Sequence, residues 1–326
     1  MNKYLILIIS IVGFLKPSAG AYGQANYLQY HKEIIKCEEL IAEGKFKDAI
    51  NSFDSIFDHF DFAFLRDYKL ATELSAFEQD SKSSFRFMRL AILHGWTLKS
   101  IQKNRSLSYL HRDPQWINVE SEYDSLHNIY WSQLNIPLRN QVHEMYKKDQ
   151  KKALGALFKI GEKNQTKYAE KKFAPHSEKQ LAELNKILTE QGYPGEKLIG
   201  NKWWVSVILS HHNSISKEYA LKDTIFLKLR PMLIRAIEHG ELHPYEFAII
   251  EDWRTAALHQ HQSTSYGFLG VIPDKPALEK VNLNRNTIGL RSIELRNKLI
   301  DIEKESGLNL YLTKGWQKSK ITVANK

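Results

Sequence analysis

The side chains best suited to chemistry lie in the second half of the 326-residue sequence. His212, Asp252 and Tyr266 are candidates for general acid–base catalysis, because a carboxylate can orient an imidazole and a tyrosine hydroxyl can donate to developing charge. Arg285 is the fourth candidate, as the counter-ion of Asp252. Acting together, these residues would form a hydrolase-type site. The alternative is a structural network in which Asp252 pairs with Arg285 or Arg291 and Tyr266 opens a tight turn.

A metal or cofactor site is not predicted. The adjacent His211 and His212 would point about 100° apart on a helix and could not face one ion. His239 and His243 have i, i+4 spacing and Glu246 follows, but a glycine and a proline break the helix that would align them. The sequence contains no nucleophile elbow, glycine-rich phosphate loop, HExxH pattern or paired cysteine–histidine arrangement. These histidines are therefore expected to be solvated or to cap helices.

The elements that must position these residues are all predicted to be helices. Between Tyr27 and about Trp131, apolar residues recur at steps of three and four, which predicts antiparallel helical hairpins with Phe53 and Met88 buried between them. The apolar run at 203–209 fits either a helix or a buried strand, and we favour a helix. Further helices are predicted over the segments 225–239, 244–259 and 293–305, with 263–282 as a loop.

One long polar helix is predicted from Leu138 into Lys172. Pro175 is expected to break it, and Ser177 to cap the next helix, which runs to Glu190. The predicted fold class is therefore all-α. It consists of a helical-repeat-like hairpin array followed by a C-terminal helical domain.

The first half resembles degenerate tetratricopeptide repeats. The segment 44–56 reads Gly-x-Phe-x-x-Ala-x-x-x-Phe-x-x-Ile, like the second half of such a repeat. The segment 84–91 repeats the small–large–small pattern 35 positions after Ala49, close to the repeat period of about 34 residues. The resemblance implies a groove for a peptide or protein partner. The alternative is an irregular helical bundle.

The second half resembles an exported bacterial family catalogued as domain of unknown function 6624, over about residues 140–313. The residues that carry the resemblance are Asp149-Gln150, Asn185, Gly192-Tyr193-Pro194, Gly200, His211-His212, Gly240-Glu241, Ala248, Asp252, Tyr266-Gly267 and Asn282-x-x-Arg285-x-x-x-Gly289-Leu290. The family brings no established activity. Thr264, Phe268 and Leu269 stand where members usually have a Gln before the Tyr-Gly and a Thr-Gln pair after it, and the usual Asp-Arg pair is interrupted here. These departures imply a weakened polar site.

The first 23 residues have the pattern of a secretory signal peptide. Lys3 precedes an apolar run from Tyr4 to Leu15, and small residues follow, with cleavage expected between Gly23 and Gln24. The alternative is a buried N-terminal helix. The run of about 12 residues is too short for a transmembrane anchor, which needs about 20. The protein is therefore predicted to be soluble and periplasmic or secreted. Its single Cys37 cannot form an internal disulfide and is expected to be a small core residue.

The sequence is basic, with a formal charge of +9. The lysines concentrate in one segment, 147–152, and are otherwise spread out. This charge favours anionic partners such as lipid head groups or acidic glycans, while no nucleic-acid-binding motif is present.

The predicted organisation is a signal peptide over 1–23, a tetratricopeptide-like region over 24–135, a C-terminal helical domain over 138–313 and a basic tail over 314–326. The tail is expected to be frayed from Gln317 onward. The predicted function is that of an exported, non-catalytic binding module for a peptide, protein or glycan. The alternative is the hydrolase outlined above.

Overall fold

The computed structural model describes residues 26–312 and 319–324. Within these ranges the chain forms sixteen α-helices and no β-strand, and a single isolated bridge joins Ile272 to Val323. The predicted all-α class is confirmed. The predicted signal peptide, 1–23, lies outside the described residues.

Six helices make up the first half. They are α1 (Tyr27–Ala42), α2 (Phe46–His59), α3 (Leu65–Phe77), α4 (Ser81–Leu93), α5 (Leu98–Gln102) and α6 (Trp116–Gln133), with a 3-10 helix at Arg105–Arg112 before α6. Short connections join consecutive helices, and α1 packs against α2, α2 against α3 and α3 against α4. The predicted hairpins are therefore present. Phe53, Met88 and Cys37 are completely buried in this array, as expected.

Ten α-helices and one π-helix, Ala169–Phe173, make up the second half. The α-helices are α7 (Ile136–Leu157), α8 (Glu162–Tyr168), α9 (Ala174–Gln191), α10 (Glu196–Ile199), α11 (Trp204–Asn213), α12 (Lys217–Lys222), α13 (Ile225–Glu238), α14 (Pro244–His259), α15 (Lys275–Thr287) and α16 (Ile293–Ser306). The four helices predicted near α11, α13, α14 and α16 are confirmed. His243 caps α14 as expected, because its Nδ1 accepts a hydrogen bond from the Tyr245 N–H at 3.1 Å.

Three boundaries differ from the prediction. The long polar helix breaks at 158–161 rather than at Pro175. The chain stays helical through Pro175, because the π-helix Ala169–Phe173 leads from α8 directly into α9. Ser177 lies inside α9 and is not a cap. The predicted loop 263–282 ends early, because Asp274 caps α15 by accepting from the Ala277 N–H at 2.9 Å.

The last helix returns to the first half. Helix α16 packs against α1, and Leu308, Leu310 and Leu312 complete the apolar core of the hairpin array. A second core lies among α7, α9, α11, α13 and α14. The two halves therefore meet along an extended boundary, and the candidate site lies there.

The described part of the C-terminal tail is packed, not frayed as predicted. Ile321 is buried, and its main chain exchanges two hydrogen bonds with the Asn297 side chain. The Ala324 N–H also donates to the Ile272 carbonyl at 2.8 Å. Of the helices in the described ranges, none is both long and apolar enough to cross a membrane.

Candidate functional site

Asp252 organises a loop. Its Oδ1 accepts hydrogen bonds from the N–H groups of Ser265 (2.7 Å) and Tyr266 (2.8 Å). Its Oδ2 accepts from the Phe268 N–H (2.7 Å) and the Thr264 hydroxyl (2.9 Å). Burial raises the pKa of this carboxyl, and the loop donors oppose that rise. A carboxylate so fully bonded acts as a structural anchor for the loop.

Arg285 binds the same loop from another direction. Its Nη1 donates to the Tyr266 carbonyl at 2.6 Å, and its Nε donates to the Arg291 carbonyl at 2.6 Å. Its guanidinium lies 4.9 Å from the centre of the Phe268 ring. The predicted ion pair with Asp252 is wrong for the described residues, because backbone donors already satisfy the carboxylate. Burial, with nearby arginines, lowers the Arg285 pKa to about 9.

His212 belongs to a different buried cluster. Its Nδ1 lies 3.0 Å from the Ser177 Oγ, and its Nε2 lies 3.4 Å from an Asp223 oxygen. Arg254 completes the cluster through a 3.0 Å ion pair with Asp223. The composition is that of a serine–histidine–aspartate triad, but all three members are buried. This arrangement ties α9, α11 and the start of α13 together and gives no access to a substrate.

Tyr266 is buried as well. Its side chain lines a cavity of about 390 Å³ together with Arg230 and Asn284. Burial raises its pKa, and the nearby Glu251 adds to the effect. The structure thus brings Asp252, Tyr266 and Arg285 together around one loop but holds His212 in a separate cluster. The four candidate residues therefore do not meet in one open cleft, as a hydrolase built on them would require.

An open cavity of about 390 Å³ lies where the two halves meet. The array contributes Phe64 and Arg66, and the second half contributes the other walls: Glu196, Trp203, His243, Tyr245, Glu246, Asn309, Tyr311 and Leu312. A second cavity of about 190 Å³ shares Trp203, Tyr245 and Glu246 with the first. Together these two cavities are the Glu246 cleft.

Two carboxyl groups face this cleft. Glu196 Oε1 accepts from the Leu65 N–H at 2.5 Å, and burial, reinforced by the charge of Glu246, raises the Glu196 pKa to about 8. Burial also raises the Glu246 pKa, to about 7, against the opposing effect of the Ser206 and Tyr193 hydroxyls. Both groups therefore change charge close to neutral pH.

The guanidinium charges beneath the cleft are already compensated. Arg66 contacts Glu38 at 2.6 Å and Asp67 at 2.7 Å, and Arg291 contacts Glu38 at 2.5 Å. Burial, with the two arginines nearby, lowers the His243 pKa to about 3, so its imidazole is neutral. The charges of Arg66 and Arg291 are therefore balanced by Glu38 and Asp67.

Lys69 is a further cation beside the cleft. Its ammonium lies 5.5 Å from the ring centre of Trp96 and 5.7 Å from that of Tyr311. Burial lowers the Lys69 pKa, and the charges of Glu196 and Glu73 oppose that effect. Tyr311, in turn, hydrogen-bonds to Glu73. An aromatic wall of the cleft is thus already in contact with a cation.

The smaller cavity contains a histidine that was not predicted to be a site residue. His211 Nδ1 lies 2.5 Å from an oxygen of Asp149, and Asp149 is completely buried on α7. The His211 side chain remains 31% exposed and lines the cavity beside Glu246. A buried carboxylate that orients an accessible imidazole can support proton transfer. Across residues 26–312 and 319–324, no group of three or more potential ligands could hold a metal ion.

Glu196 and the pairing of Asp149 with His211 were not predicted from the sequence, where both members of the pair contributed to the family resemblance. Glu246 was considered only as a metal ligand. The indication for Glu246 was an acidic residue within the apolar stretch Tyr-Glu-Phe-Ala at the start of α14. Comparisons with protein-family models, with curated proteins and with solved structures find no match. The resemblances to domain of unknown function 6624 and to tetratricopeptide repeats therefore stay predictions.

Proposed function

We propose that this chain is an exported, non-catalytic binding module whose ligand lies in the Glu246 cleft. The observation that carries the proposal is the origin of the walls: Phe64 and Arg66 come from the hairpin array, and Tyr245 and Glu246 come from α14. A ligand in this cleft contacts both halves. A volume of about 390 Å³ is within the usual range for binding pockets.

A non-catalytic role is supported by the burial and hydrogen bonding of the side chains that were predicted to be catalytic. Asp252 is bonded by backbone donors, and His212 is held between Ser177 and Asp223. Such bonds suit a structural role. Neither side chain is accessible enough to act on a substrate.

Among the three predicted ligand classes, a peptide that presents a basic side chain fits the cleft best. Trp203 and Tyr245 supply aromatic walls, and Trp203 is half exposed. Glu196 and Glu246 supply carboxyl groups, while the charge of Arg66 is compensated by other residues. Aromatic faces next to carboxylates attract ammonium and guanidinium groups.

A peptide selection tests this function. The chain without residues 1–23 is immobilised at pH 8 and used to select from a phage library of random nonapeptides. We expect enriched peptides to share a lysine or arginine, and to lose at least tenfold in affinity for the Glu246→Gln variant. The matched control is Glu190→Gln, at an exposed position on α9. Absence of enrichment, or peptides that bind the Glu246→Gln variant equally well, would refute the proposal, and selective binding of a neutral oligosaccharide would favour a glycan ligand instead.

The second candidate is a hydrolase, and the Asp149–His211 pair is the observation that favours it. In this version His211 is the general base, and Glu246 in the same cavity is the proton donor. The site predicted around His212, Asp252 and Tyr266 would then have no direct role. Chromogenic ester, amide and glycoside substrates distinguish the candidates: turnover that disappears in a folded His211→Gln variant supports the enzyme, and no turnover supports the binding module.

A further inference from the structure

The turn between α7 and α8 exposes large apolar side chains. Phe158 is 81% exposed and Ile160 is 92% exposed, and Leu154 on the last turn of α7 is half exposed. Leu154 and Phe158 have the i, i+4 spacing that places side chains on the same face. Protein surfaces rarely cluster apolar groups in this way without an interaction partner. We refer to residues 154–160 as the apolar tip.

The main chain of the apolar tip is held in place. The Asn164 side chain donates to the Ile160 carbonyl at 2.9 Å, and the Gln165 side chain donates to the Lys159 carbonyl at 3.1 Å. The Tyr168 hydroxyl reaches back from α8 to the Lys152 carbonyl on α7 at 3.1 Å. The two helices thus form a small hairpin that presents Phe158 and Ile160 at its end.

Lysines surround the apolar tip on both helices. The segment 151–167 contains five lysines, all exposed, and one acidic residue, Glu162; the lysines are Lys151, Lys152, Lys159, Lys163 and Lys167. At 1.5 Å per residue, each of them lies within about two or three helical turns of Phe158. Exposed apolar groups at the end of a basic hairpin are typical of proteins that bind at a lipid interface.

We infer that the apolar tip docks on an anionic phospholipid surface. Phe158 and Ile160 enter the boundary between head groups and acyl chains, and the lysines contact the phosphates. The charge pattern supports this partner: exposed lysines lie beside the exposed apolar side chains, and an anionic phospholipid surface offers phosphates next to acyl chains. This inference rests on neither the Glu246 cleft nor its ligand.

Vesicle flotation tests the inference with the chain lacking residues 1–23. The probes are vesicles of phosphatidylcholine alone and vesicles with about 30% phosphatidylglycerol, each at low and at physiological salt. We expect binding only to the anionic vesicles, weakened by salt because exposed charges are screened. The double variant Phe158→Ser/Ile160→Ser should bind at least tenfold less, and Lys159→Gln/Lys163→Gln about threefold to tenfold less.

Two controls keep the test specific. Ile117→Ser removes an apolar side chain that is 69% exposed on α6, and Lys186→Gln removes an exposed lysine on α9; both should bind like the unmodified chain. No binding to anionic vesicles, or equal binding by the variant at Phe158 and Ile160, would overturn the inference. The inference would also be overturned if the unmodified chain formed a dimer in solution and did not bind vesicles, and if the variant at Phe158 and Ile160 were a monomer. The apolar tip would then join two copies of the chain.

Discussion

Replacing Glu246 by glutamine is expected to stabilise the folded chain at pH 8 and to change its stability little at pH 5. Burial raises the Glu246 pKa from 4.5 to about 7 in the folded state. Between these two pH values the folded chain keeps a proton that the unfolded chain releases. Stability contributed by this carboxyl is therefore fully present below about pH 4.5 and is lost as the pH rises toward 7.

The size of the effect follows from that pKa change. Each pH unit in this interval removes about 1.4 kcal/mol of unfolding free energy per proton, so the loss reaches up to about 3 kcal/mol above pH 7. Glutamine has nearly the same shape and no charge to desolvate, and so it avoids this loss. The unfolding free energy of the Glu246→Gln variant should exceed that of the unmodified chain by about 2–3 kcal/mol at pH 8 and by less than about 1 kcal/mol at pH 5.

Urea unfolding at both pH values measures this difference, because the unfolding free energy varies linearly with urea. Glu190→Gln is the matched control: this exposed glutamate should give the same small change at pH 5 and pH 8. The reasoning is refuted if Glu246→Gln gives no added stability at pH 8. It is also refuted if the gain is equal at the two pH values, because burial of the charge would then not be its cause.

Three further predictions concern other parts of the chain. Phe53→Ala should lower the unfolding free energy by about 3–5 kcal/mol, because Phe53 is completely buried in the array, and an unchanged urea midpoint would contradict this. Asp252→Asn should lower the unfolding free energy by about 2–4 kcal/mol, because the new amide nitrogen would face backbone N–H donors of the 264–269 loop. If this variant kept normal stability and lost a measured activity, the result would instead support an enzyme. Protein recovered from the native host should begin near Gln24, and an intact Met1 found by N-terminal sequencing would contradict export.

The helices could be predicted because their causes are local. Apolar spacing fixed the buried faces of α2 and α4, and His243 with Pro244 marked the start of α14. The same reasoning was wrong at Pro175, because the π-helix Ala169–Phe173 lets the helix continue past this proline. Local rules were therefore reliable for the existence of helices and weaker for where they begin.

The candidate site could not be predicted, because long-range packing creates it. Asp149 and His211 are 62 positions apart. The acidity of Glu196 and Glu246 changes because both are desolvated where the two halves meet. The partners of Asp252 could not be predicted either, because they are mainly backbone N–H groups. Almost every residue has such a group, so the residue types of a loop do not indicate which of them bind a carboxylate.

The pH dependence of peptide binding tests whether Glu246 and Glu196 bind a basic side chain in the cleft. A lysine peptide obtained from the selection is titrated into the chain by calorimetry between pH 6 and pH 9. Lysine stays charged over this range, while Glu246 and Glu196 lose their protons near pH 7 and pH 8. We expect the affinity to rise at least tenfold from pH 6 to pH 9, and the Glu246→Gln variant to bind weakly with a smaller rise. An affinity independent of pH, or a Glu246→Gln variant that matches the unmodified chain, would contradict this prediction.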